Sequence, residues 1–387
     1  MSPIMPHSVP TLLTMMNELL SEISVSSTSA QWDTGNRQVI DKLAGWLTTL
    51  GFRCEVIPLT GKENKANLIA TLGSGPGGLV LSGHTDTVPF NEERWDMNPL
   101  TLTERDNKLF GLGATDMKGF FPIAIEAAKA FLDQPLKEPL IILATADEES
   151  SMDGARQLAA QGAPKARYAV IGEPTGLKPI RMHKGMMMQA ITVAGRAGHS
   201  SDPALGNNAL EAMHVVMADI LAFRAELQQR YQNPLFKVAV PTLNLGCIHG
   251  GDNPNRICGQ CEMHFDLRAL PGMNNDDLHA ELEQRLKPLA QQLKINISLR
   301  ALIKNIQPFE QPRHSELVKF AEQLTGHRAE SVAFATEGAF MRQLGMDTIV
   351  MGPGSIDQAH QPNEFMALDQ VQPAVNIFKQ FIGRFCL

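Results

Sequence analysis

Long apolar runs, basic stripes and an ordered cysteine pattern are all missing from this sequence. No apolar run approaches the ~20 residues that a membrane-spanning helix needs, so no membrane segment is expected. The formal net charge is −7 and no Arg-rich run is present, so nucleic acid is not expected as a partner. The N-terminal segment MSPIMPHSVP also lacks the pattern of a secretory signal.

Cysteine is scarce as well. The five cysteines are odd in number and scattered, which argues against the disulfide framework of a secreted domain, and we expect a cytoplasmic protein. Cys258 and Cys261 form a lone CxxC in an extended run, where residues three apart point to opposite faces. A structural zinc site needs four convergent ligands, so none is predicted there.

The chain is long enough for about two domains of ~150 residues, and 43% of its 387 residues are hydrophobic. Over residues 1–180, apolar runs alternate with helical patterns, which predicts a doubly wound, mixed α/β sheet. Over residues 181–302 the predicted order is βαββαβ, a ferredoxin-like arrangement without carboxylate-tipped strands. The α/β pattern returns over residues 303–387. We therefore predict a discontinuous catalytic domain (1–180 and 303–387) with an inserted domain (181–302).

The stretch GLVLSGHTDTVPF, residues 78–90, carries the first site motif. Its apolar run ends at Gly83, as buried parallel strands do, and ligands of such sheets lie beyond the carboxyl ends of the strands. His84 and Asp86 are two apart, so they share a face on an extended backbone. This pair suits a metal site in which His84 ligates and Asp86 holds its other ring nitrogen. The alternative is a hydrogen-bonded histidine at a strand end.

Repetition of such motifs favours the metal site. Three more motifs bring carboxylates and a late loop brings a histidine: Asp116 in GLGATDMKG, Asp147, Glu148 and Glu149 in LIILATADEE, Glu173 in AVIGEPT, and His360 in GPGSIDQAHQP. Buried acids grouped at one sheet edge repel each other unless a cation neutralises them.

If two zinc ions lie at this sheet edge, these residues can hold both. Asp116 would be the bridge, because its two oxygens can each hold one metal. His84 and Glu173 would complete one ion, and Glu149 and His360 the other. Three protein ligands per ion leave a position for water, as catalytic zinc requires.

The Glu148–Glu149 pair indicates the chemistry. Paired metals ~3.5–4 Å apart can activate water and polarise a carbonyl. At a strand end one glutamate can ligate while its neighbour stays free, and a free carboxylate beside that water is a general base and later an acid. The implied reaction is hydrolysis of an amide.

The motifs resemble those of the dinuclear zinc amidohydrolases and exopeptidases, the family that includes aminoacylase, succinyl-diaminopimelate desuccinylase and glutamate carboxypeptidase. The resemblance runs nearly end to end. It implies that Asp86 and Glu148 are catalytic, with Glu148 as the base, and that the Asp116–Met117 peptide is cis. It also implies that the inserted domain is a lid that mediates a homodimer. Co²⁺ accepts ligands similar to those of Zn²⁺, so the native metal stays open.

Three loops narrow this resemblance to deacetylases of an N-acetylated amino acid, a small-molecule substrate. The loops are AGRAGHSSDPALGNNALE, PTLNLGCIHGGDNPNRIC and GPGSIDQAHQPNE. A desuccinylase or a dipeptidase on the same scaffold is the alternative within enzymes. A catalytically silent protein that binds amino acids or metal is the alternative outside them.

Three further residues have open roles. The resemblance implies that His199, in GHSS, reaches the partner's site and stabilises an oxyanion; the alternative is a solvent-exposed histidine. Arg256 is a candidate to pair with a substrate carboxylate, or is a solvated or structural arginine. Glu337 is a candidate to meet a substrate ammonium, or is a helix-start glutamate.

Overall fold

A computed structural model describes residues 8–387, and the bounds of its helices and strands are as follows. The helices are α1 (Leu12–Leu20), α2 (Arg37–Thr49), α3 (Phe120–Ala128), α4 (Asp153–Gln161), α5 (Ala209–Arg230), α6 (Asn275–Leu293), α7 (Glu316–Thr325), α8 (Gly338–Gln343) and α9 (Leu368–Cys386). The strands are β1 (Arg53–Leu59), β2 (Lys62–Leu72), β3 (Leu79–His84), β4 (Thr103–Arg105), β5 (Lys108–Phe110), β6 (Leu140–Thr145), β7 (Tyr168–Pro174), β8 (Ile180–His183), β9 (Met187–Ala194), β10 (Gly198–His199), β11 (Thr242–Gly250), β12 (Arg256–Ile257), β13 (Gln260–Arg268), β14 (Asn296–Ala301), β15 (Phe309–Glu310), β16 (Glu330–Val332), β17 (Asp347–Gly352) and β18 (Phe365–Ala367). Among these residues, no helix is both long and apolar enough to cross a bilayer.

The chain forms two compact units. Unit 1 runs to Arg181 and resumes over Gln311–Glu330 and Thr336–Leu387. Unit 2 comprises Met182–Glu310 and Ser331–Ala335. The roles of these units as a catalytic domain and a lid stay predictions.

A mixed sheet forms the centre of unit 1, with the strand order β1-β2-β6-β3-β7-β17. Strands β6, β3, β7 and β17 are parallel to one another, whereas β2 pairs antiparallel with β6, and β1 antiparallel with β2. Every residue of β3, β6 and β7 is buried, as expected for strands covered on both faces. The predicted doubly wound mixed sheet is therefore confirmed.

Unit 2 has the predicted ferredoxin-like arrangement. Its order is β9, α5, β11, β13, α6, β14, and its sheet runs β11-β13-β9-β14 with antiparallel neighbours. Burial alternates along β13, so one face of the sheet packs into a core that includes apolar residues of α5 and α6. A small ribbon of β10 and β12 pairs His199 with Arg256.

Close backbone approach fixes the start of α3 against the sheet in unit 1. A Cβ atom on Gly172 of β7 would lie 2.1 Å from the ring of Phe120, the first residue of α3. A Cβ atom on Gly83 of β3 would lie 2.8 Å from the Met117 side chain and 3.0 Å from Phe120. Both glycines thus let the segment after Asp116 lie directly over the ends of β3 and β7.

This packing predicts opposite effects for two glycine substitutions. Gly172→Ala should destabilise the protein by ~1–3 kcal/mol, because the added methyl overlaps the Phe120 ring. Gly45→Ala is the matched control: Gly45 is exposed within α2 and a Cβ there meets nothing within 4 Å. It should stabilise by up to ~1 kcal/mol through helix propensity. Thermal and urea denaturation measure both, and a Gly172→Ala protein as stable as wild type would refute this account of the packing.

Candidate metal centre

The predicted site residues of unit 1 meet at one edge of its sheet. His84 is the last residue of β3, Glu148 and Glu149 follow β6, and Glu173 lies near the end of β7. Because these three strands are adjacent and parallel, their carboxyl ends share an edge. Loops before α3 and before β18 bring Asp116 and His360 to the same place.

His84 is oriented toward the carboxylates by its own backbone neighbourhood. Its Nδ1 lies 2.9 Å from the backbone carbonyl of Asp86, to which the Nδ1–H donates. Its Nε2 therefore points the other way, 3.0 Å from Asp116 Oδ1 and 3.8 Å from Glu173 Oε1. Asp86 does hold the second ring nitrogen, but through its backbone oxygen; its carboxylate Oδ1 is farther away, at 3.7 Å.

Asp116 faces one histidine with each of its oxygens. Oδ1 lies near His84, and Oδ2 lies 3.4 Å from His360 Nε2. His360 Nε2 also lies 3.0 and 2.9 Å from the two oxygens of Glu149. The peptide bond between Asp116 and Met117 is cis, which confirms that expectation. The two Asp116 oxygens, each near a different histidine, have the arrangement that a carboxylate bridging two cations would adopt.

Two groups of side chains in the described part of the chain are close enough to hold a metal ion. They are His84–Asp116–Glu149 and His84–Glu148–Glu173, each with ligand atoms within 4.8 Å of one another. A set of imidazole nitrogens and carboxylate oxygens suits Zn²⁺ and related divalent ions. Distance alone does not separate Glu148 from the ligands, so its role as a base belongs to the proposal below.

Without a cation, protons compensate the buried charge. Hydrogen bonds to Asp116 and Glu149 raise the pKa of His360 to about 10. Burial, together with the charge of Asp116, raises the pKa of Glu149 to about 7. Burial opposes the charged form of His84, but its hydrogen bond to Asp116 and nearby carboxylates raise its pKa well above the usual range.

Two more glutamates are forced toward the neutral form. Burial, then the charge of Glu173, raises the pKa of Glu148 well above its usual range. Burial, then the charge of Asp116, does the same for Glu173. These acids are buried against each other, which is costly unless a positive charge is present.

Glu337 lies at the start of α8 and is buried. Its Oε1 has no hydrogen-bond partner among the described residues. Burial raises its pKa to about 7, although a hydrogen bond with Thr145 opposes the rise. Its charge acts on both Glu148 and Glu173, so it belongs to the same electrostatic cluster.

His199 and Arg256 lie together in unit 2. Both are exposed, and Arg256 forms an ion pair with Asp252 at 2.6 Å. The Nδ1 of His199 lies 3.2 Å from the backbone N of Ser201 and 2.7 Å from its hydroxyl oxygen. Because the backbone N–H donates to Nδ1, the ring proton resides on Nε2, which is left as a donor.

Two residues support the cluster through contacts that the sequence does not indicate. Asp147 is buried between Lys62 and Lys65 and accepts from Ser26 Oγ at 2.9 Å. Its φ is 62°, so it sits at a left-handed turn directly before Glu148. Only the tertiary fold brings these lysines, more than 80 residues away along the chain, to the turn.

The second supporting residue is Glu364, which accepts hydrogen bonds from backbone N–H groups of the Asp116 loop. Burial, then the charge of Asp116, raises its pKa to about 8, and the bonds from Gly113 and its neighbours oppose the rise. The motif GPGSIDQAHQPNE contains Glu364, but nothing in the sequence tells which loop it contacts.

Comparison with known proteins confirms the family resemblance. Residues 80–384 match the family described as Peptidase family M20/M25/M40. The chain is 48% identical over 382 residues to a protein named acetylornithine deacetylase from Edwardsiella ictaluri (strain 93-146), covering 99% of this chain and all of that protein. It is 46% identical over 378 residues to one of the same name from Pasteurella multocida (strain Pm70), covering 98% and 99%.

The fold also has solved counterparts. A metallo-carboxypeptidase of the M20 family from Sulfolobus solfataricus matches with a TM-score of 0.73 and 18% identity, covering 97% of this chain and 99% of that one. At this identity the match concerns the fold alone.

The protonated state of the cluster predicts how metal binding depends on pH. An incoming ion must displace protons from Glu149, with its pKa of about 7, and from His360, with its pKa of about 10. Metal affinity should therefore rise as pH increases from about 6 to 8, and binding at pH ~7 should release protons. Calorimetry in buffers of different ionisation enthalpy counts them. An affinity that is flat across this range would contradict the assignment of these two ligands.

Proposed function

Because the chain belongs to Peptidase family M20/M25/M40, we propose that it is a metal-dependent amidohydrolase that removes the acetyl group from N2-acetyl-L-ornithine. The products are L-ornithine and acetate, which places the reaction in arginine biosynthesis. The observation that carries the proposal is full-length similarity to proteins named acetylornithine deacetylase, combined with a cluster of carboxylates and two imidazoles, of which His84 is buried and His360 is exposed.

The cluster fits two divalent ions per subunit, for which we infer Zn²⁺, with Co²⁺ able to substitute. Asp116 would hold both ions, since each of its oxygens faces a different histidine. His84 and Glu173 would complete one set of ligands, and Glu149 and His360 the other. His84 offers Nε2 because its Nδ1–H is engaged by the Asp86 carbonyl.

When bound, the ions polarise the scissile carbonyl and lower the pKa of a water molecule. Glu148 accepts the proton of this attacking water as the water oxygen bonds to the carbonyl carbon. It then returns the proton to the leaving nitrogen as the C–N bond breaks, so acetate and a free amine result. The burial that raises the pKa of Glu148 makes it able to carry that proton between the two steps.

Substrate recognition is assigned to Glu337 and Arg256. Glu337 is a buried carboxylate with one oxygen lacking a hydrogen bond, so a substrate ammonium would compensate its charge. Arg256 is exposed and its guanidinium can bind a substrate carboxylate in a bidentate manner. Its ion pair with Asp252 is also exposed and contributes little free energy, so a substrate carboxylate can replace Asp252.

His199 is assigned to the partner subunit's reaction, in a homodimer formed through unit 2. A tetrahedral oxyanion gains from a hydrogen-bond donor opposite the metals. The contacts with Ser201 leave the Nε2–H of His199 free to be that donor.

The cytoplasmic location expected from the cysteines stays a prediction.

The competing functions differ in the acyl group or in the chemistry. A succinyl-diaminopimelate desuccinylase or a dipeptidase would use the same cluster on a different amide. A catalytically silent binding protein would not need Glu148, so the presence of this carboxylate favours an enzyme.

A substrate panel tests the proposal. Purified protein with measured metal content should hydrolyse N2-acetyl-L-ornithine at least tenfold more efficiently, in kcat/KM, than succinyl-diaminopimelate or dipeptides. Chelation should abolish this activity while circular dichroism stays nearly unchanged, because the large α/β core does not depend on metal to fold. A preference for either competing substrate would replace the proposed function with that one.

The role of His199 across the dimer is tested by mixing two variants. Glu148→Ala should lose ~10²–10⁴-fold in turnover and His199→Ala ~10²–10³-fold. In a mixed dimer, the His199→Ala subunit keeps its own Glu148 and receives His199 from its partner. One site per mixed dimer is then complete, so activity should return after subunit exchange.

If His199 acted within its own subunit, every site in the mixture would lack one group and activity would stay at the level of the parents. Mixing each variant with itself under the same exchange conditions is the control.

A further inference from the structure

Glu364 is a buried carboxylate whose side-chain hydrogen bonds, within residues 8–387, all come from one loop. Its Oε1 accepts the backbone N–H groups of Thr115 at 2.7 Å and Asp116 at 2.9 Å. Its Oε2 accepts the N–H of Gly113 at 3.0 Å. Only 2% of Glu364 is exposed, so water does not replace these bonds.

The same segment is tied to this loop by its backbone. The carbonyl of Glu364 accepts from the N–H of Gly111 at 3.0 Å, and the carbonyl of Phe365 accepts from Thr115 Oγ1 at 2.6 Å. His360 lies only four residues before Glu364. The loop that carries His360 and the loop that carries Asp116 are therefore joined through one side chain and its neighbour.

We propose that Glu364 is a positioning residue of the metal centre, which holds Asp116 and His360 in register so that both can ligate the same ion. This inference rests on the proposed metal-dependent function. Glu364 itself touches neither substrate nor the bound ions; it acts through the backbone of Gly113, Thr115 and Asp116.

The chemistry of the carboxylate makes its replacement informative. Three N–H donors converge on two acceptor oxygens, and only the ionised carboxylate can accept all three, although burial raises its pKa to about 8 in the metal-free protein. Charge-assisted bonds of this kind are roughly twice as strong as neutral ones. In Glu364→Gln one oxygen becomes an NH₂ group, so at least one backbone N–H faces another donor. Loss of such outer partners typically weakens metal binding ~10–100-fold.

The test is a Co²⁺ titration of metal-free protein that is monitored by visible absorption and by calorimetry. Wild type should bind two Co²⁺ ions, and Glu364→Gln should bind at least one of them ~10–100-fold more weakly, with an altered cobalt spectrum. Glu138→Gln is the matched control: Glu138 also accepts a backbone N–H, from Gly77 at 2.8 Å, but precedes β6 at the end opposite to Glu148. It should leave both affinities unchanged.

The melting temperature of the metal-free proteins separates positioning from a purely structural role. A Glu364→Gln protein that melts earlier but binds both ions with wild-type affinity and spectrum would overturn the proposal. If Glu364→Gln does not fold, Glu364→Asp decides, because the shorter side chain keeps the charge but cannot reach all three N–H groups. Glu364→Asp should weaken Co²⁺ binding, and wild-type affinity for both ions would overturn the proposal. Wild-type protein that binds no Co²⁺ would instead refute the metal-dependent function itself.

Discussion

Compensation of buried negative charge is the constraint on which unit 1 depends. Asp116, Glu148, Glu149 and Glu173 converge at one sheet edge, where Asp116 and Glu173 are buried and the other two are partly buried. Four carboxylates cannot all be ionised there without positive charge nearby. In the metal-free protein, protons on His84 and His360, whose pKa values are raised, supply positive charge. In the proposed metal centre the same groups would become metal ligands once cations replace the protons, so the residues whose charges repel each other without a cation are those proposed to bind it.

The scaffold satisfies this constraint by rigid placement. Strands β3, β6 and β7 are buried over their whole length, and their parallel order sets the spacing of the acids at the sheet edge. Because Gly172 and Gly83 have no side chain, the start of α3 packs directly on β3 and β7, and Asp116 just before it lies at the strand ends. Hydrogen bonds then fix the loops that regular structure does not reach, with Glu364 holding the Asp116 loop and Asp147 holding the turn before Glu148.

Much of this could be predicted from the sequence because parallel strands bring their carboxyl ends together. That rule alone brought His84, Glu149 and Glu173 to one edge, and the βαββαβ order identified the fold of unit 2. The contacts of Asp147 with Lys62 and Lys65, and of Glu364 with the Asp116 loop, could not be predicted, since they join segments that share no local pattern. Nor could the sequence show that Asp86 holds His84 mainly through its carbonyl, because that depends on the local backbone angle at the strand end.

Anomalous X-ray diffraction at the zinc absorption edge, from crystals loaded with Zn²⁺, tests the bridged two-ion centre most directly. We expect two peaks ~3.5–4 Å apart with the Asp116 carboxylate between them and Glu148 bonded to neither. A single peak, or two peaks without Asp116 between them, would contradict the bridged two-ion centre. Glu148 within bonding distance of either ion would contradict its separation, as the base, from the ligands.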